Sequence, residues 1–214
     1  MLHQHLFSTF QHLALFNIIF PALLFFTIIP LIETRNARDY DGFLAPDSLK
    51  PISWLLGVWR SEHDGKAMFP TIPKFTYGEE ISISLTNPKL HAEPAFNYTT
   101  DFSSAFAWSA HDRDELHSEN GYITVYSGGT RVALTTVMNN GFVTVEEGPV
   151  SNFRIRFKLV DIGRISFSRD LPVHDLIREW SLLDGHHLEA RLDMETLTHG
   201  MREHTTITYT KIFP

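Results

Sequence analysis

Cysteine is absent from the 214-residue chain. Disulfides, thiol catalysis, thiolate-bound zinc and iron–sulfur clusters are excluded together, and metal or cofactor ligation falls to 12 histidines and the carboxylates. Positive charge is also short: 18 Lys and Arg stand against 25 Asp and Glu, a net charge of -7 with neutral histidine. A chain of that sign has no overall field for phosphate backbones, so no nucleic-acid partner is expected. Nor does the sequence contain a P-loop, a dinucleotide fingerprint or a G-x-S-x-G elbow. With 43% hydrophobic and 20% charged residues, the composition suits one large globular domain with an appendage.

The one long uncharged run lies near the amino terminus. Leu13 to Ile32 gives 20 residues without a formal charge, enough to cross a hydrocarbon core of about 30 Å as a helix. Residues 1–12 hold no Lys or Arg, and no small-residue cleavage pattern follows Pro30, so residues 13–32 are expected to stay attached as a single-pass membrane anchor. A cleaved signal, leaving a secreted or lumenal domain, is the competing reading. Arg35, Arg38 and Lys50 follow the run and favour a cytosolic bulk, whereas the sequon Asn97-Tyr98-Thr99 points the other way. Residues 33–50 read as a polar linker, and 51–214 as the folded domain.

That domain reads as all-β. Asp47 and Ser48 can cap one short helix ending near Gly57. Beyond it, Ile81, Ile83 and Leu85 alternate with Ser82 and Ser84, and the same period of two recurs in GYITVY, TRVALTTVM, FVTVEE, FRIRFKLV, RISFS, HLEARLDME and TTITYTKIF. Gly128-Gly129, Asn140-Gly141 and Asp184-Gly185 fall between these runs as hairpin turns. About ten strands in a meander predict an antiparallel β-barrel, with a β-sandwich as the alternative.

Seven short motifs follow one another along the domain. They are Gly57-Val58-Trp59 with Ser61 and Gly65, Phe69-Pro70-Thr71-Ile72, Phe75-x-Tyr77-x-Glu79-Glu80, His117-x-Glu119-x-Gly121-Tyr122, Val145-Glu146-Glu147-Gly148, Arg164-Ile165-Ser166-Phe167, and Met201-x-x-His204-x-x-x-x-Tyr209-x-Lys211. In this order, from about Pro51 to Pro214, the chain resembles the nitrobindin family of heme-binding β-barrels, which includes the domain ending certain THAP-type zinc-finger proteins. The resemblance implies a ten-stranded, lipocalin-like antiparallel barrel holding heme b in its mouth. It makes His204 the proximal ligand of the heme iron, and places Thr71 at the heme, with Phe69 where the family usually has Tyr. It also implies small nitrogen oxides as partners: isomerisation of peroxynitrite to nitrate and binding of nitric oxide. Two departures stand out, Ser61 and Ala67 at positions where the family favours glycine.

Strict alternation complicates the ligand role. It groups His204 with Thr206, Thr208 and Thr210, away from Ile207 and Tyr209, so a bulge or the preceding loop must turn His204 inward. His186 and His187 read as a solvated hairpin end, and His199 is out of phase with His204. Glu79-Glu80 and Glu146-Glu147 diverge as strand neighbours and read as solvated or rim positions. Two other functions fit the barrel: a non-enzymatic carrier of a fatty acid or other apolar ligand, and a membrane-tethered interaction domain with an empty interior.

Overall fold

The alternating runs form a continuous wall. The computed structural model describes residues 36–86, 93–99, 105–109, 115–126 and 128–214, which belong to one unit running from Arg35 to Pro214. Its strands are β1 (Gly57–Ala67), β2 (Phe75–Leu85), β3 (Ala95–Thr99), β4 (Ala105–Ser109), β5 (Glu115–Val125), β6 (Arg131–Met138), β7 (Phe142–Ser151), β8 (Arg154–Arg164), β9 (Val173–Leu182), β10 (His187–Thr196) and β11 (His199–Phe213). Every pairing is antiparallel, and β1 closes the ring by pairing with both β2 and β11. β3 and β4 both lie between β2 and β5, against Ser82–Leu85 and Tyr77–Glu80 respectively, so they share one place in the wall. The result is a closed ten-stranded barrel, as the meander predicts.

One end is plugged. The expected helix is present as a 3-10 helix, Asp47–Leu55, with Pro51 inside it. Its Leu49, Ile52 and Leu55 are buried, and together with Trp59, Ile83, Phe96, Ile123, Leu134 and Leu188 they fill that half of the barrel. The Trp59 indole donates to the Leu55 carbonyl at 2.8 Å, which ties the plug to the first strand. Gly57 opens that strand at φ 139°, where an L side chain is strained, and a Cβ there would meet the Phe213 carbonyl at 2.9 Å. The G-x-W motif is therefore the hinge and anchor of the closed end.

Part of the predicted linker is folded. Residues 37–40 and 42–44 form 3-10 turns capped by the Asn36 and Asp41 side chains. Tyr40 is buried, hydrogen-bonds Ser82 at 2.9 Å through its hydroxyl and packs edge-on against Phe213. A tyrosine that finds both an aromatic neighbour and a hydroxyl partner holds polar flanking residues in place that composition alone marks as loose. Among the described residues no helix is long and apolar enough to cross a membrane; Leu13–Ile32 lies outside them.

At the other end the wall carries the loops after β1, β6, β8 and β10. Asn140-Gly141 makes the β6–β7 turn with Gly141 at φ 86°. The Asp184-Gly185 hairpin is instead held by the Asp184 carboxylate, which accepts from the backbone N–H of His186 and His187.

Candidate functional site

A cavity of about 600 Å³ opens at the loop-bearing end. Phe69, Phe75, Ile162, Leu171 and Leu176 contribute apolar wall, and His204 and Thr205 stand side by side in it. Two adjacent strand residues normally face opposite sides. Here Leu192 opposes Thr205 and Asp193 opposes Glu203, leaving His204 as an extra residue on β11: a β-bulge. The bulge supplies the reorientation that strict alternation requires, and His204 is 1% exposed.

The imidazole is fixed on two sides. Nδ1 lies 2.9 Å from the Arg202 carbonyl oxygen, which can only accept, so Nδ1 carries a proton and, in the neutral ring, the lone pair is on Nε2. The Phe69 ring stands edge-on to the imidazole at 5.5 Å between centroids and stacks on Phe75 at 6.2 Å. The Met68 N–H donates to the His204 carbonyl at 2.7 Å, joining the Phe69 segment to the bulge. Thr71 lies in the following turn, lines the cavity, is exposed, and its hydroxyl makes no hydrogen bond among the described residues.

Beneath the cavity lies a polar belt that sequence reasoning missed. Arg178, 8% exposed, donates to Glu119 at 2.8 and 3.2 Å and to Glu146 at 3.0 and 3.3 Å. The Tyr98 hydroxyl donates to Glu119 at 2.6 Å and Thr144 to Glu146 at 2.9 Å. Burial works against the Arg178 charge, but Glu119 and Glu146 outweigh it and push its pKa further up. Burial likewise opposes the Glu119 charge, yet Arg178 and His117 bring its pKa below the usual value. At Glu79 the same Arg178 charge is outweighed. This glutamate is hydrogen-bonded by Tyr209 and Tyr77, and burial together with the Glu119 charge raises its pKa to about 7.

The paired acids diverge as predicted, but one of each pair, Glu80 and Glu146, is buried rather than solvated. Glu79 faces the cavity while Glu80 is buried on the outer side beside Arg60, and Glu146 is 0% exposed while Glu147 pairs with Arg131. A signal was available in phase: Glu79 alternates with Ile81 and Ile83, and Arg178 with Leu176 and Trp180, all inward positions. Among the histidines, His187 bonds Asp184 at the far hairpin as expected, and His117 and His199 line the cavity.

The residues present fit a heme. One buried imidazole offers a free Nε2, the cavity has a porphyrin's scale with aromatic and aliphatic walls, and a porphyrin brings four iron ligands of its own. Fold and cavity together define a small ligand-cavity β-barrel, closed below and histidine-lined above. The chain belongs to the THAP4-like heme-binding β-barrel domain family, whose model matches residues 48–211.

Similar chains extend across kingdoms. An uncharacterized protein of Caenorhabditis elegans, C28H8.5, is 49% identical over 82% of this chain and 60% of its own length. The human peroxynitrite isomerase THAP4 is 32% identical over 78% of this chain, which spans 27% of that longer protein. An Arabidopsis thaliana protein named peroxynitrite isomerase Rv2717c is 31% identical, with 72% of this chain and 82% of its own covered. The crystal structure of Rv2717c from M. tuberculosis superposes with a TM-score of 0.64 at 25% identity, covering 78% of this chain and 98% of that one.

Proposed function

We propose that this barrel binds heme b through His204 Nε2 and acts on small nitrogen oxides, isomerising peroxynitrite to nitrate and binding nitric oxide. The observation that carries the reading is the β11 bulge, which turns His204 into the cavity with its Nδ1 proton committed to the Arg202 carbonyl. The names of the relatives support the substrate class.

Bound heme would supply a Lewis-acidic iron able to polarise an anionic nitrogen oxide. The protein's share is positional. The Arg202 carbonyl fixes the His204 tautomer and raises its donor strength. The rings of Phe69 and Phe75 hold the imidazole plane and keep water from that side. The Thr71 hydroxyl, without a partner among the described residues, can hydrogen-bond a ligand at the rim. Peroxynitrite and nitrate contain the same atoms and electrons, so no protein group has to deliver a proton; the cavity's task is to hold the anion while its O–O bond is exchanged for a new N–O bond.

Reconstitution of the full chain with hemin tests this. A Soret band that shifts with nitric oxide, lost in His204→Ala, is expected, with peroxynitrite decay yielding more nitrate than in protein-free buffer. An unchanged spectrum and hemin affinity in His204→Ala would overturn the ligand assignment.

A further inference from the structure

The wall is not sealed all the way to its rim. β8 and β9 pair from Arg154↔Ser181 to Lys158↔Ile177 and no further, although β8 runs on to Arg164 and β9 begins at Val173. Both strands carry an extra residue just past the last pair. On β8, Val145 opposes Asp161 and Glu146 opposes Leu159, so Val160 is bulged. On β9, Glu195 opposes Asp175 and Thr196 opposes Val173, so His174 is bulged. A bulge bends its strand and terminates pairing, and two facing bulges part the strands.

The parted edges are kept from closing. Asp161 accepts from the Ile162 N–H at 2.8 Å and Asp175 from the Leu176 N–H at 2.8 Å, so an edge donor on each strand is already satisfied within its own strand. Both satisfying groups are carboxylates, and like charges on facing edges oppose closure. Above the gap, the 165–172 loop is held as a frame: Arg164 donates to the carbonyls of Ser168 and Asp170 at 2.7 and 2.8 Å, and Asn140 donates to the Asp170 carboxylate at 2.7 Å.

What lies inside the frame is the cavity itself. Ile162, Leu171, Val173 and Leu176, from both edges and the loop, are among its lining residues. We infer that this β8–β9 window is a lateral portal of the cavity, through which an apolar, ring-sized ligand enters and leaves edge first. Aliphatic jambs suit the methyl- and vinyl-bearing edge of a porphyrin or another flat hydrophobic molecule, whose charged groups remain at the open mouth. Augmentation by a partner strand is disfavoured, because one N–H on each edge is already taken and both edges are bent by bulges. The inference extends the heme reading but rests on the cavity, not on the identity of what fills it.

The absence of cysteine makes the test clean. Val160→Cys and His174→Cys place the sole thiols on the two exposed bulge residues, neither of which lines the cavity. In the full chain the pair is bridged with a reductant-cleavable bis-maleimide, and uptake is followed by stopped flow with hemin and, separately, with the apolar dye anilinonaphthalene sulfonate. Bridging is expected to slow uptake at least tenfold, with recovery on cleavage and an unchanged final spectrum. Rates within twofold before and after cleavage would overturn the portal. Slowed dye entry with no hemin binding in either form would sink the heme reading and leave the portal standing; failure of both probes to enter would overturn both.

Discussion

Phe69 meets His204 edge to face, 5.5 Å between ring centroids with the planes 68° apart, and the same phenylalanine ring stacks on Phe75. The cavity's one deeply buried imidazole is thus braced by an aromatic pair from the β1–β2 connection as well as by the Arg202 carbonyl. Removing the ring by Phe69→Ala should leave the bulge and the fold in place but free the imidazole to rotate. Hemin transfer to excess apomyoglobin should accelerate about tenfold, an effect of about 1.4 kcal/mol on the barrier. Phe69→Tyr keeps the ring and should match the parent protein.

Thr71→Val removes the hydroxyl while preserving shape. Because that hydroxyl is exposed and bonds nothing among the described residues, melting temperature should not move. A hydrogen bond to a bound ligand is worth a net ~1 kcal/mol, so nitric oxide dissociation or heme retention should change several-fold. A fallen melting temperature with unaltered ligand kinetics would make Thr71 a turn residue only.

Glu79 makes stability depend on pH in a definite direction. Its folded pKa of about 7 lies above the ordinary 4.5, so the folded state holds the proton more tightly than the unfolded chain. The resulting stabilisation is complete below about 4.5 and is lost as pH rises through 7, by at most about 3 kcal/mol, less where cavity water screens the charge. Glu79→Gln should flatten urea-melt stabilities between pH 5 and 8 and exceed the parent at pH 8. Parallel curves for both proteins would remove Glu79 from the titration.

Arg178→Met leaves Glu119 and Glu146 buried without their cation. The loss should be about 3–5 kcal/mol in denaturant melts, because the penalty is that of uncompensated charge rather than of lost attraction. Adding Glu119→Gln and Glu146→Gln to the same chain should recover much of it.

For residues 13–32 the expected outcome is a chain that stays with membranes after alkaline extraction and keeps its amino terminus on sequencing. A mature chain beginning after Ile32 would replace the anchor with a cleaved signal.

Most strands were legible because period-two alternation is a direct imprint of a wall with one dry face, as in Ile81 and Ile83 of β2; β3, β4 and β9 were not singled out, and RISFS, read as a strand, lies in the loop after β8. The short helix before Gly57 was legible, but Asp47 and Ser48 do not cap it: it starts after Pro46 without a side-chain cap, and its bond to Trp59 emerges only in three dimensions. Alternation misleads where a strand gains a residue: His204, Val160 and His174 each break phase, and an unpaired insertion leaves no mark in a pattern of apolar residues. The belt was missed for a related reason. Glu146 and Arg178 look solvent-bound by type, and only their three-dimensional pairing makes an inward charge tolerable.

The polar belt also divides the labour of the barrel along its axis. Below it, tightly interlocked apolar side chains carry the free energy that keeps the chain folded; above it, the walls are loosely packed around space. Substitutions at the mouth therefore alter what is held without touching what holds the molecule together. A library of variants at Ile162, Leu171 and Val173 should keep its members soluble and melting near the parent while their ligand preferences drift apart, a separation that makes such a scaffold readily evolvable.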